Sequence, residues 1–289
     1  MRIIGVVLSL TAALAVAACA GPSTSSERQD AEPDLGFGHV HGVDLNPAEG
    51  QIYAATHHGV FRLGPDGPQR IADRYQDTMG FVITGPDRFL ASGHPDLREP
   101  GPPHLGLIES TDRAQTWTSV SLHGEADFHA LTVAGATIYG LDATDGVVMR
   151  SDDNGQNWQR GATLDAADLD VDPTNPLRVL ATTADGVLES VDGGLSFHPV
   201  ASPPPRSLVV IDHVEKTGGD QEPRLAGVDA DGGVWALDRE GWIQAGALPG
   251  PPHAFTAIAA DRYLAATEEG VFDSEDAGRT WTLVAAADA

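Results

Sequence analysis

Cysteine and lysine are nearly missing from this 289-residue chain: Cys19 is the only cysteine and Lys216 the only lysine. A single cysteine closes no intrachain disulfide, so the fold must rest on packing. The other basic residues are arginines, and 42 acidic against 17 basic residues leave a formal net charge of −25. Nucleic-acid binding needs a basic stripe, and docking on anionic lipid through side chains needs a polybasic patch; this balance argues against both. Sustained 3.6-residue periodicity is also missing beyond residue 36, which speaks against an α/β chain. What is plentiful is glycine (33) and proline (20), alongside 41% hydrophobic residues. That composition describes a turn-rich chain long enough for one large all-β domain.

The chain opens with Met1-Arg2 and an uncharged apolar run over 3–18, too short for a comfortable membrane span but suited to a signal-peptide core. The run ends in Val16-Ala17-Ala18-Cys19. Small residues before a lone cysteine resemble a bacterial lipobox. The resemblance implies that residues 1–18 are a cleaved lipoprotein signal peptide, that Cys19 is lipidated, and that the mature chain holds no free thiol. Residues 19–36, rich in Ser, Thr, Pro, Asp and Glu, read as a flexible tether. The expected localisation is extracytoplasmic, with the lipid as the membrane contact and residues 37–289 as the folded domain.

That domain is repetitive. Gly-Val or a close variant recurs at Gly59, Gly106, Gly146, Gly186, Gly233 and Gly270. Four of these are followed by a second motif: STDRAQTW (110–117), SDDNGQNW (151–158), SVDGGLSF (190–197) and SEDAGRTW (274–281). In such a turn, Ser and Asp side chains bond to backbone groups of their own loop, glycine supplies a positive φ, and the aromatic residue anchors the hairpin. These residues build hairpins and are not expected to catalyse. Four short strands per roughly 40 residues make one propeller blade, so six repeats predict an all-β, six-bladed β-propeller of four-stranded blades. Residues 94–105 and 214–224 are expected to be exposed insertions. The second motif resembles the Asp-box, or BNR repeat, of sialidase-like β-propellers, and the resemblance covers nearly the whole mature chain.

Aligning the repeats superposes the innermost strands: HVHGVDL (39–45), DTMGFVI (77–83), DFHALTV (127–133), ADLDVD (167–172) and HAFTAIA (253–259). Their starts should ring one mouth of a central channel and gather His41, Met79, His129, Asp168 and Phe255, with His39, Asp77, Asp127 and His253 two residues earlier. Second-strand ends add His57, His58 and His94, and the neighbouring insertion adds His104. The candidate metal ligands are His39, His41, His57, His94 and His129, with Asp77 and Asp127 as partners behind them. Imidazole with carboxylate suits Zn or Cu, and a nearby methionine favours copper. The alternative is a polar, hydrated channel whose histidines bond to water and backbone. His123, His198 and His213 are expected to be ordinary surface or turn residues.

The pattern HVHG, THHG, GHPD, LGLI and DFHAL also resembles secreted bacterial propellers labelled sialidase-like or glycosylhydrolase. A sialidase would imply three arginines gripping a carboxylate, a Tyr/Glu nucleophile pair and an Asp acid. Here the Phe-Arg-Ile-Pro motif is absent, Phe61-Arg62-Leu63-Gly64 lies in a third strand, and no arginine starts an inner strand. Tyr53, Tyr139 and Tyr263 read as packing residues. A more general glycoside hydrolase needs two carboxylates about 5–9.5 Å apart; Asp77, Asp127 and Asp168 are the catalytic candidates, with Asp96 or Glu99 beside them. The leading expectation is a ligand- or metal-binding or assembly module working through a His-rich mouth. A protein or carbohydrate partner is expected, and the chain is expected to be monomeric.

Overall fold

Alternating short apolar stretches and glycine-rich turns fold into twenty-four strands in the computed structural model, which describes residues 36, 38–214 and 224–287. The signal peptide, Cys19 and all of the tether except Gly36 lie outside the described residues. Blade 1 comprises β1 (Val40–Asn46), β2 (Gln51–Thr56), β3 (Gly59–Gly64) and β4 (Gly67–Arg70). Blade 2 comprises β5 (Asp77–Gly85), β6 (Arg88–His94), β7 (Leu107–Ser110) and β8 (Thr118–Ser121). Blade 3 is built from β9 (Phe128–Ala134), β10 (Thr137–Asp142), β11 (Val147–Ser151) and β12 (Gln159–Thr163). Blade 4 has β13 (Ala166–Val171), β14 (Val179–Thr183), β15 (Gly186–Ser190) and β16 (His198–Pro199). Blade 5 has β17 (Leu208–Val214), β18 (Arg224–Asp229), β19 (Gly233–Leu237) and β20 (Trp242–Ala247), and blade 6 has β21 (Ala254–Ala257), β22 (Tyr263–Thr267), β23 (Gly270–Ser274) and β24 (Thr282–Ala286). Each sheet is an antiparallel meander in chain order, as the repeat predicts.

Successive inner strands pack on one another around a ring that β1 and β21 close. Among the described residues blades 1 and 6 each take their four strands from one continuous stretch, and side chains pack across the seam between them. Val40, Val43, Ile52 and Phe61 of blade 1 form one buried cluster with Leu264, Ala266 and Val271 of blade 6. Thr256 Oγ1 donates to the Val43 carbonyl across the same seam at 2.6 Å. The other blade pairs bury equivalent clusters, such as Leu90 and Leu107 against Phe128 and Ile138 between blades 2 and 3. Closing the ring covers the apolar sheet faces that the first and last blades of an open array would present.

The hairpin motif works as its residue types require. In SDDNGQNW, Ser151 Oγ accepts the Gly155 N–H at 2.9 Å and donates to Asp153 Oδ1 at 2.8 Å, and Asp153 in turn accepts the Asn157 N–H at 2.9 Å. The turns at Ser110, Ser190 and Ser274 repeat these bonds. The fifth residue of each turn has positive φ, 83° at Gly155 and 62° at Ala114, so alanine replaces glycine in the first copy with the same backbone. Trp117, Trp158, Phe197 and Trp281 then pack against clusters between blades.

Candidate metal centre at the channel mouth

The inner strands share a device that the repeat alignment does not reveal. In five of them the pairing with the second strand skips one residue, leaving His41, Met79, His129, Ala167 and Val209 bulged out of the ladder. A bulge re-aims the side chain it carries. In blade 6 the counterpart is His253, just before β21, whose N–H donates to the Ala266 carbonyl at 2.8 Å. The position equivalent to His41 in blade 4 is therefore Ala167, not Asp168, and in blade 6 His253, not Phe255. A one-residue slip turns a strand side chain to the other face. Phe255 packs in the core against Tyr263, with ring centroids 5.4 Å apart.

Asp168 accordingly takes no part in the mouth. It lies deeper in the channel, where its Oδ2 accepts the Ile211 N–H of blade 5 at 3.0 Å. Asp212 does the same for the Ala257 N–H at 2.8 Å, tying blade 5 to blade 6. Burial pushes the Asp168 carboxyl up to about 7 and raises Asp212 well above the usual range, the latter helped by the charge of Asp170. His213 also departs from expectation. It is a buried residue of β17, and its Nδ1 bonds to Asp170 Oδ2 of the neighbouring blade. The sequence alignment omits β17, which is why a surface role was expected for it.

At the mouth, blades 1–3 bring two groups of donor atoms together. The first comes from the bulge of β1, the turn after β2 and the first residue of β5. His41 Nε2 lies 3.2 Å from His57 Nδ1, His57 Nδ1 lies 2.9 Å from Asp77 Oδ1, and His41 Nε2 lies 3.7 Å from the same oxygen. The second group comes from the end of β6, the blade-2 insertion and the residue before β9. Asp127 Oδ2 is 3.3 Å from His94 Nε2, 3.9 Å from His104 Nδ1 and 3.0 Å from His129 Nε2. Tetrahedral zinc with bonds of about 2.0–2.2 Å holds its ligands about 3.3–3.6 Å apart, and the distances within both donor sets lie within about 0.4 Å of that range.

Local folding explains why these side chains meet. Gly93 has φ of +136°, and a Cβ there would stand 2.1 Å from the Asp77 carbonyl oxygen. Glycine therefore lets β5 and β6 close tightly where Asp77 pairs with His94. The insertion is pinned at its near end by Asp96, which accepts the Tyr75 N–H at 3.0 Å and grips Arg98 Nη2 at 2.7 Å. At its far end Leu105 N–H donates to the Gly93 carbonyl at 2.8 Å, and the His104 carbonyl accepts from Gly124 at 2.9 Å. These bonds commit Asp96 to the loop, and Glu99 pairs with Arg74 at 3.2 Å, so neither joins the mouth.

The electrostatics suit cation binding. Burial, then the neighbouring His57 and His39, lower His41 to about 4, so it is a neutral donor at physiological pH. Burial opposes ionisation of Asp127, but the hydrogen bond from His129 and the charges of His129, His94 and His104 outweigh it and hold the carboxyl below its usual value. Its bond to Asp127 raises His129 in turn, against the effect of burial. Two buried atoms of the second group have no hydrogen-bond partner: His104 Nδ1 and Asp127 Oδ1. Orphaned buried polar atoms are costly unless something occupies the space beside them.

The expected single convergence of His41, His57, His94 and His129 is thus two groups. Asp77 and Asp127, expected behind the ligands, stand among the donors themselves. His104, noted in the insertion but left out of the candidate ligands, joins the second group. His39 belongs to neither; its ring lies 4.8 Å from His41 and 4.0 Å from His253. Only folding of the insertion back to Gly93 brings His104 in, and the hint in sequence is its place just before the Leu105-Gly106 strand entry.

No protein-family model matches the chain, and no curated protein matches it. Solved structures do. The chain is similar to a GH74 enzyme from Niastella koreensis with a TM-score of 0.57 and 17% identity, over 86% of this chain and 45% of that one. It is similar to a gluconolactonase from Xanthomonas campestris with a TM-score of 0.62 and 15% identity, over 84% of this chain and 88% of that one. It is also similar to YCF48 bound to D1 peptide, with a TM-score of 0.51 and 13% identity, over 86% and 81% of the two chains. The chain thus spans less than half the length of the GH74 enzyme, and similarity at these identities establishes the β-propeller fold alone.

Proposed function

We propose that this protein is a metal-binding β-propeller, held outside the cytoplasm by lipid on Cys19, that carries Zn or Cu at a channel mouth built by blades 1–3. The observation that carries the reading is the His94–His104–Asp127 group, in which a buried imidazole nitrogen with no hydrogen-bond partner lies beside a buried carboxylate. Imidazole and carboxylate donors suit Zn and Cu. Partial exposure of His57 (45%) and His94 (36%) gives an ion a way in and leaves room for a ligand from solution. A glycoside hydrolase is supported less well. The His94 ring stands between the candidate acids, 3.3 Å from Asp77 on one side and 3.3 Å from Asp127 on the other, where a glycosidic bond would have to lie.

The test uses untagged protein, since a polyhistidine tag would bind metal itself. Metal analysis after purification is expected to find at least one Zn or Cu per chain. Re-adding the ion to stripped protein at a hundred times its dissociation constant should stabilise the fold by about 2.7 kcal/mol. For a domain of this size that is roughly 5–10 °C in Tm. Metal-free protein with no thermal shift from either ion would end the reading.

A further inference from the structure

The two donor groups are not independent, because one residue belongs to both neighbourhoods. His94 offers Nε2 to the Asp127 group at 3.3 Å, while its Nδ1 lies 3.3 Å from Asp77 Oδ2, the carboxylate whose other oxygen faces His41 and His57. We propose that the mouth holds two metal ions that fill in order: the His94–His104–Asp127 site first, and the His41–His57–Asp77 site second, assembled by the first through His94. This rests on the metal-binding reading above and goes beyond it in stoichiometry, order and coupling.

The order follows from how well each site is preformed. The Asp127 side chain is 7% exposed, His104 is fixed by the backbone bonds flanking it, and three imidazoles already converge on one carboxylate oxygen. The His41 site relies on a turn residue, His57, and on an Asp77 side chain that is 28% exposed. An ion that enters the first site therefore orders less.

The coupling follows from the chemistry of imidazole. Once Nε2 of His94 is bound to an ion, Nδ1 is the only ring nitrogen left to carry hydrogen. Nδ1–H must then donate to Asp77 Oδ2, and the ring can no longer turn away. That bond holds the Asp77 carboxylate so that Oδ1 points at His41 and His57. His94 is thus a ligand of the first ion and a positioning residue for the second. Reciprocity requires the second ion to tighten the first by the same factor. An imidazole and a carboxylate stand between the two ions, so they do not form the closely bridged pair, about 3.5–4 Å apart, of two-metal hydrolases.

The test is calorimetric titration of untagged, metal-stripped wild-type protein and three variants with Zn²⁺, with native mass spectrometry for stoichiometry. Wild type is expected to bind two ions of unequal affinity. H57N should lose the weaker ion and hold the tighter one within a few-fold. H104N should lose the tighter ion and also bind at the His41 site about tenfold or more weakly, the usual effect of losing a partner behind a ligand. H94N is the decisive variant: its amide NH₂ can replace the Nδ1–H donor to Asp77 but cannot reach as the Nε2 ligand. It should therefore lose the first site while restoring second-site affinity relative to H104N. It also keeps the proposal testable should H104N fail to fold. One ion in wild type, second-site affinity unchanged in H104N, or equal loss in H94N and H104N would overturn ordered coupling while leaving metal binding intact. No Zn²⁺ bound by wild type would overturn the metal reading itself.

Discussion

Asp168→Asn should stabilise the protein at alkaline pH and do little in acid. The Asp168 side chain is half-buried between blades 4 and 5, and desolvation raises its carboxyl to about 7 from an ordinary value of 3.8. Its folded-state value is raised, so between those two values the native chain holds a proton that the unfolded chain releases. The stabilisation is full below pH about 4 and lost as pH rises towards 7. One unit is worth about 1.4 kcal/mol, so the shift from 3.8 to about 7 amounts to roughly 4 kcal/mol at most. Contact with channel water reduces this to an expected gain of about 2–3 kcal/mol for the neutral variant at pH 8. Asparagine Oδ1 can still accept the Ile211 N–H that Asp168 now accepts at 3.0 Å, so the tie between blades 4 and 5 survives. The assay is urea unfolding of wild type and variant at pH 4.5, 6 and 8, read as the difference between them, which cancels groups common to both. A difference that does not change with pH, or a variant less stable at pH 8, would mean that the folded chain does not hold a proton on Asp168.

Ser151→Ala should cost about 2–3 kcal/mol in the same assay, because it leaves the buried Gly155 N–H without its acceptor and removes the hydroxyl donor to Asp153. A chain ending at residue 250 should fail to fold as a monomer, since the blade-1 cluster around Val43 and Phe61 would lose Leu264, Ala266 and Val271; a cooperative thermal transition from that fragment would contradict the seam described. Arg98→Ala should weaken Zn²⁺ binding while sparing the fold, because it loosens the insertion that presents His104 without touching a donor atom. Its readout is the Zn²⁺ dissociation constant beside the apo Tm.

The fold was almost wholly legible in sequence because a propeller repeats its local rules. Gly-Val or a close variant at each third strand and Ser-x-Asp at four of the hairpins are set by turn chemistry within a few residues, and the repetition makes the pattern hard to miss. The site was only partly legible. His41, His57, His94 and His129 were placed near one another because strand ends in a propeller share a mouth. Asp168 and Phe255 do not reach it, because the strand starts are matched out of register: by strand pairing Ala167 stands where His41 does, one residue before Asp168, and His253 does so in blade 6, two residues before Phe255. His104 depended on how a proline-rich insertion folds back, which no local pattern encodes. His213 pairs with Asp170 across 43 positions, a contact that exists only once blades 4 and 5 are side by side.

A metal-binding mouth requires that imidazoles and carboxylates from blades 2 and 3 hold one ion between them. Anomalous diffraction at the zinc edge, from crystals of untagged protein grown with Zn²⁺, tests it most directly. The expected result is a peak about 2.0–2.2 Å from His94 Nε2, His104 Nδ1 and Asp127 Oδ2. Well-ordered crystals with no peak at the mouth, or zinc only on surface carboxylates away from blades 1–3, would contradict it.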